Sequence, residues 1–133
     1  MNNGLGEKIV NLLLFTRKAT ATEAGAFGLR ERFLFCIRDR AQPPRELMDA
    51  LGMTKSNLAL LANKCISEGL IHKSKLSSDR RALSYSITEK GKALIDSLLD
   101  EIDAKFATVL TDEKERDAAK EDLDKVAELL SYL

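Results

Sequence analysis

The sequence predicts a mainly helical fold carrying one small β-hairpin, on three observations. Apolar residues recur at helical spacing along most of the chain, as at Leu58, Leu61, Ala62 and Cys65. Two β-prone runs, 70–76 and 82–88, flank the polar stretch Ser77-Ser78-Asp79-Arg80-Arg81, the pattern of a hairpin with a charged tip. Pro43-Pro44, Gly52 and Gly69 punctuate the helical part where helices must stop and restart.

The first helix is expected over 7–19, with Leu5, Ile9, Leu12 and Leu13 on one apolar face. Small residues and glycines over 20–28 predict a break. A second helix is expected over 29–40, burying Phe33, Leu34 and Ile37 and leaving Arg30, Arg32, Arg38 and Arg40 more exposed. Pro43-Pro44 ends it, and Pro44 suits the first position of a third helix over about 45–51, stopped by Gly52. Thr54 then acts as N-cap of a fourth helix over 55–68, which Gly69 stops. Its apolar face leaves Lys55, Ser56, Asn63, Lys64 and Ser67 outside. In the second hairpin strand, Leu83, Tyr85 and Ile87 alternate with serines. Thr88 caps a long helix over 89–110, with Leu94, Leu98, Ile102, Phe106 and Val109 in near-heptad spacing. Thr111 is expected to cap the last helix, whose stripe is Ala119, Leu123, Val126, Leu130 and Leu133, with acids in its first turn.

A chain of 133 residues with 44% hydrophobic and 32% charged residues makes a globular domain with a real core. No apolar run reaches the roughly 18–20 residues that cross a bilayer, and no cleavage site follows the short run 12–15. A cytoplasmic protein without membrane contact is the expectation. The net charge of zero hides a strong asymmetry. Residues 30–92 hold 13 Lys/Arg against 7 Asp/Glu, whereas residues 93–133 hold 5 against 12. A cationic middle suits a polyanion, and an acidic tail faces away from one. Cys36 and Cys65 lack metal-ligand spacing, and His72 is the single histidine. With no nucleophile–base pair and no glycine-rich phosphate loop, neither an enzyme nor a cofactor or metal site is expected.

Two helices joined by a glycine turn let the first brace on a phosphate backbone while the start of the second enters the major groove. Side chains able to meet base edges or phosphates there are Thr54, Lys55, Ser56 and Asn57, with Lys64 further along. Free N–H groups at the helix start attract phosphate as well. The hairpin adds Lys73 on its first strand and Arg80 and Arg81 at its tip, where arginines can reach a narrow minor groove. Asp79 can pair with Arg81 and hold the tip's shape. Helix, charged hairpin and helix in this order make a winged helix-turn-helix.

The chain resembles the MarR family of winged-helix transcription regulators. The matching residues are Leu47-Met48-Asp49-Ala50-Leu51-Gly52-Met53-Thr54-Lys55-Ser56, then Glu68-Gly69-Leu70-Ile71, and Asp79-Arg80-Arg81 through Thr88-Glu89-Lys90-Gly91. The last is the family's D-x-R … T-x-x-G wing pattern. The resemblance implies a homodimer in which residues 1–28 and 93–133 supply N- and C-terminal dimerisation helices and residues 29–92 the DNA-binding domain. The apolar stripes at 5–13, 94–109 and 119–133 fit that expectation, since they exceed what one small core consumes. It further implies that the fourth helix is the recognition helix, that Arg81 enters the groove and that Asp79 orients it. A repressor on a pseudo-palindromic operator is the expected function. One departure stands out: Ala59-Leu60 replaces the Ser/Thr-Arg pair of many relatives, and Leu60 can touch a thymine methyl but cannot clamp phosphate.

Relatives also bind small aromatic acids or sense oxidants through cysteine. Phe15, Phe27, Phe33 and Phe35 are candidate cleft residues for an aromatic effector, and Cys36 is a candidate redox thiol. Either signal must distinguish DNA-competent from incompetent dimers. The competing expectations are a winged helix used as a protein-interaction module and a redox-sensing regulator acting through Cys36.

Overall fold

The computed structural model describes residues 4–21, 27–75 and 83–133. Its elements are α1 (Leu5–Ala21), α2 (Leu29–Cys36), α3 (Pro44–Leu51), α4 (Lys55–Ser67), β1 (Ile71–Lys75), β2 (Leu83–Ile87), α5 (Glu89–Val109) and α6 (Glu113–Leu130). The chain divides into two compact units, one of Met1–Thr22 with Asp100–Leu133 and one of Glu23–Leu99. The fold is therefore mainly helical with a two-stranded antiparallel hairpin, as the sequence predicts.

The central unit is built around one core, to which Phe33 and Leu34 of α2, Leu47 of α3, Leu58 and Cys65 of α4 and Ile95 of α5 contribute fully buried side chains. The helix expected over 29–40 ends at Cys36, four residues early. The cause lies in Gln42, whose backbone N–H and C=O both bond to Tyr85 of β2, at 3.0 and 2.9 Å. Its side-chain amide donates to the Cys36 carbonyl, closing the last helical turn. A helix running to residue 40 would leave no chain to reach that strand edge, and Pro43 holds Gln42 extended. Ile37 stays buried although it lies past the helix end.

The following helices start and stop as their residues dictate. Pro43 is the N-cap of α3 and Pro44 its first residue. Gly52 ends α3 in the left-handed region at φ 63°, where a β-carbon would be strained. The Thr54 hydroxyl accepts from the Asn57 N–H at 3.3 Å and caps α4. Gly69, at φ 75°, turns the chain out of α4 into β1. The hairpin register sets Ile71 opposite Ile87, Lys73 opposite Tyr85 and Lys75 opposite Leu83. Tyr85 is buried and meets Phe33 edge to face at 5.7 Å. Leu83 and Ile87 are only half-buried, and so are the serines between them, so the alternation is weaker than the sequence suggests.

Thr88 and Gly91 lock the hairpin to α5. The Thr88 hydroxyl donates to the Gly69 carbonyl at 2.7 Å and accepts from the Gly91 N–H at 3.0 Å, while its own N–H bonds the Leu70 carbonyl. A β-carbon at residue 91 would overlap the Leu70 carbonyl oxygen and crowd the Ile87 side chain, so only glycine lets α5 pass this close. Thr-x-x-Gly is thus a packing device.

The other unit contains α1, the second half of α5 and α6. Asp112, not Thr111, caps α6: its carboxylate accepts from the Lys114 N–H at 3.0 Å. Thr111 stands one residue too early to reach that turn. The Arg116 guanidinium donates to the Leu110 carbonyl at 2.7 Å and clips the connection between α5 and α6. Between these helices lies a cleft of about 850 Å³ with Phe106, Leu110, Arg116 and Leu123 in its lining.

Candidate nucleic-acid interface

Burial splits α4 along its length. Leu58, Ala62 and Cys65 turn inward, with exposures of 1%, 0% and 0%. On the opposite side Ser56, Leu60, Asn63 and Ser67 follow one another at four-, three- and four-residue steps, which places them on a single outward ridge. Asn57 and Lys64 flank the ridge on one side and Lys55 and Ala59 on the other, all exposed. Thr54, Lys55, Ser56, Asn57, Leu60 and Lys64, expected from the sequence to meet DNA, are therefore gathered on one solvent-facing surface.

The start of α4 is electrostatically unlike every other helix start among the described residues. The first turns of α1, α2, α3, α5 and α6 carry Glu7, Glu31, Glu46, Glu89 and Glu113, acids that compensate the helix dipole. The first turn of α4 has no acid and begins with Lys55. Thr54 satisfies the Asn57 N–H, whereas the N–H groups of Lys55 and Ser56 lie ahead of the intrahelical ladder. This helix end is left positive and suited to receive an anion.

Lys73 is exposed on β1 beside His72, Ser74 and Lys75. Asp79, Arg80 and Arg81 fall within 76–82, outside the described residues. Arg30 of α2 and Arg38, just past its end, are less free than the sequence suggests. Arg30 bonds Glu31 at 2.6 Å and Glu68 at 2.9 Å, tying α2 to the end of α4. Its hydrogen bond to Glu31 raises the guanidinium pKa further, ahead of smaller contributions from Glu68. Arg38 stacks 4.2 Å from the centre of the Phe35 ring.

The four candidate phenylalanines are not brought together by either unit. Phe33 is core, Phe27 meets Phe35 edge to face at 6.0 Å in the same unit, and Phe15 belongs to the other unit with 69% of its surface exposed. Cys36 is half-buried, and burial pushes its thiol up, away from the thiolate that oxidant sensing requires. Cys65 is fully buried and pushed up to about 11, mainly by burial and then by the Glu68 charge. Among the described residues no group of His, Cys, Asp and Glu could hold a metal ion, and no helix is long and apolar enough to cross a membrane.

Two residues that matter here escape a reading by motif. Asn63 and Ser67 lie on the outward ridge, although only residues near the start of α4 and Lys64 are picked out by helix-turn-helix geometry. The Ser67 hydroxyl is engaged with the Lys64 carbonyl at 2.8 Å, whereas the Asn63 amide makes no hydrogen bond among the described residues. Helical phase counted from Leu58 is the signal that finds both.

Solved structures share this fold. BldR, a transcriptional regulator from Sulfolobus solfataricus, matches at a TM-score of 0.68 and 18% identity, covering 100% of both chains. RV1404 from Mycobacterium tuberculosis matches at 0.73 and 16% identity, over 98% of this chain and 97% of its own. NMB1585, a MarR family regulator from Neisseria meningitidis, matches at 0.57 and 21% identity, over 99% of this chain and 96% of its own. At these identities the likeness is one of fold, and it is the winged-helix fold that the resemblance in the sequence implies. No family model matches the sequence, and no curated protein does.

Proposed function

We propose that this protein is a transcriptional regulator that binds double-stranded DNA as a homodimer, with α4 in the major groove and the hairpin against the minor groove. The observation that carries this reading is α4 itself. It is anchored by a fully buried face, opens on an acid-free positive end, and presents polar and cationic side chains along the opposite face. In this role Lys55 and Lys64 meet phosphates, and Ser56 and Asn57 meet base edges. Lys73, Arg80 and Arg81 supply the wing's charge, with Asp79 orienting Arg81.

Residues 1–28 and 93–133 act in this proposal as dimerisation segments around the DNA-binding domain of 29–92. In the single chain Leu5, Leu14 and Phe15 of α1 and Leu123 of α6 are 62–69% exposed, which gives a second copy an apolar surface to cover. Each dimer then offers two α4 helices to a pseudo-palindrome with half-sites about 34–36 Å apart. Repression follows where such a site overlaps a promoter and excludes polymerase. The protein performs no catalysis in this role. Burial holds the Cys36 thiol towards its protonated form, and Phe33, fully buried in the core, presents no surface to an aromatic effector.

Salt titration of binding to duplex DNA tests the reading. Affinity for a duplex from the gene's own upstream region should fall steeply as salt rises, through counterion release from several phosphates. Arg81→Ala should weaken binding, most at sites with narrow minor grooves, without dissociating the dimer. Binding that ignores salt, or that does not prefer the upstream duplex to a random one, contradicts a specific regulator.

A further inference from the structure

Leu60 is 68% exposed at the centre of the outward ridge of α4, with polar Ser56 before it and Asn63 after it. A large aliphatic side chain has nothing to gain from water there, and α4 already buries its other face in the core. The next ridge residue, Asn63, has an amide free of hydrogen bonds among the described residues. An aliphatic group and a free amide one helical step apart make a specific pair of chemical demands.

We propose that Leu60 and Asn63 read neighbouring A·T base pairs, Leu60 through the C5-methyl group of thymine and Asn63 through the N6/N7 edge of adenine. This deepens the proposed function and rests on α4 lying in the major groove. In that groove a G·C pair presents guanine acceptors and the cytosine amino group, which a leucine would desolvate without pairing, whereas thymine presents a methyl group. Adenine presents one acceptor and one donor side by side, which an asparagine amide matches with its own donor and acceptor. Three residues of α-helix advance about 4.5 Å along the axis, close to the ~3.4 Å step between base pairs, so the two side chains fall on adjacent pairs. Lys64, exposed beside the ridge, remains available to phosphate.

The test uses the full-length protein and a duplex selected by it from a random pool, with each thymine replaced in turn by deoxyuridine, which removes only the methyl group. Wild-type protein should lose roughly fourfold in affinity at one position per half-site, the factor expected for one buried methyl-sized group. Leu60→Ala should bind the thymine and uracil duplexes equally, and its exposed site leaves the fold intact by circular dichroism. Asn63→Ala should lose on the order of tenfold and relax the choice of adenine at the adjacent pair. A scan silent at every thymine, or a Leu60→Ala protein that still discriminates thymine from uracil, overturns the proposal; in the first case Leu60 is left to a protein partner. If no duplex is enriched and no salt-dependent binding is seen, the regulator reading falls along with it. An enriched duplex with a silent scan removes this inference alone.

Discussion

Gly91 has a job that only the folded chain reveals. In the sequence it belongs to a wing pattern that points to DNA, but in the structure it is the place where α5 passes the Leu70 carbonyl with no room for a β-carbon. Gly91→Ala should therefore destabilise the protein by about 1–3 kcal/mol, the range for overpacking, as measured by urea denaturation. A wild-type midpoint would mean that the backbone can move aside. Cys65 offers a second test at this scale. Burial holds its folded-state pKa near 11, from an ordinary value of 9.0. Below pH 9 the thiol is protonated in both states and its favourable contribution is complete. Above pH 9 the unfolded chain loses the proton first, so stability falls as pH rises towards 11, by up to ~1.4 kcal/mol per pH unit. The stability difference between wild type and Cys65→Ala should shrink over that interval. A constant difference would put the thiol in contact with water.

At the scale of elements, helix boundaries were legible wherever one residue dictates them. Pro44, Gly52, Thr54 and Gly69 mark the limits of α3 and α4 in the sequence as they do in the structure. The boundary that was not legible, the end of α2 at Cys36, depends on Gln42 pairing with Tyr85 more than forty residues away. Local pattern cannot report a long-range strand contact. The shift of the α6 cap from Thr111 to Asp112 is smaller, a choice between adjacent capping residues that only backbone geometry decides. The candidate interface was partly legible for a related reason. Motif spacing singles out residues at the start of α4, and the apolar spacing sets Asn63 outside the buried face; the structure adds its alignment with Ser56, Leu60 and Ser67 on one exposed ridge. Thr54→Ala tests the element directly. Loss of the cap should cost about 1 kcal/mol of stability by thermal or urea unfolding. It should also weaken DNA binding more than that, because in the proposed function the same helix end meets the phosphates. Binding unchanged alongside the stability loss would move the phosphate contact away from the start of α4.

The molecule as a whole carries its charge in separate blocks, a cationic middle and an acidic tail. That division suits a protein whose middle meets a polyanion and whose ends meet another copy of themselves. Phe15→Glu, placed on an exposed apolar surface, should leave the fold intact but prevent pairing. Light scattering should then give a mass near 14.8 kDa in place of twice that value. Operator affinity should drop by roughly a hundredfold, because two linked half-sites no longer act together. A variant that stays dimeric would assign the interface to other residues.

In the proposed function α4 of each subunit reads one half of a two-fold symmetric DNA site. Selection of bound sequences from a random duplex pool tests it most directly, because one measurement returns sequence, symmetry and spacing together. The expected result is an enriched pseudo-palindrome whose half-sites lie about 34–36 Å apart, with Asn57→Ala altering the preferred bases more than the overall affinity. An unenriched pool, or an enriched site with no symmetry, would contradict it.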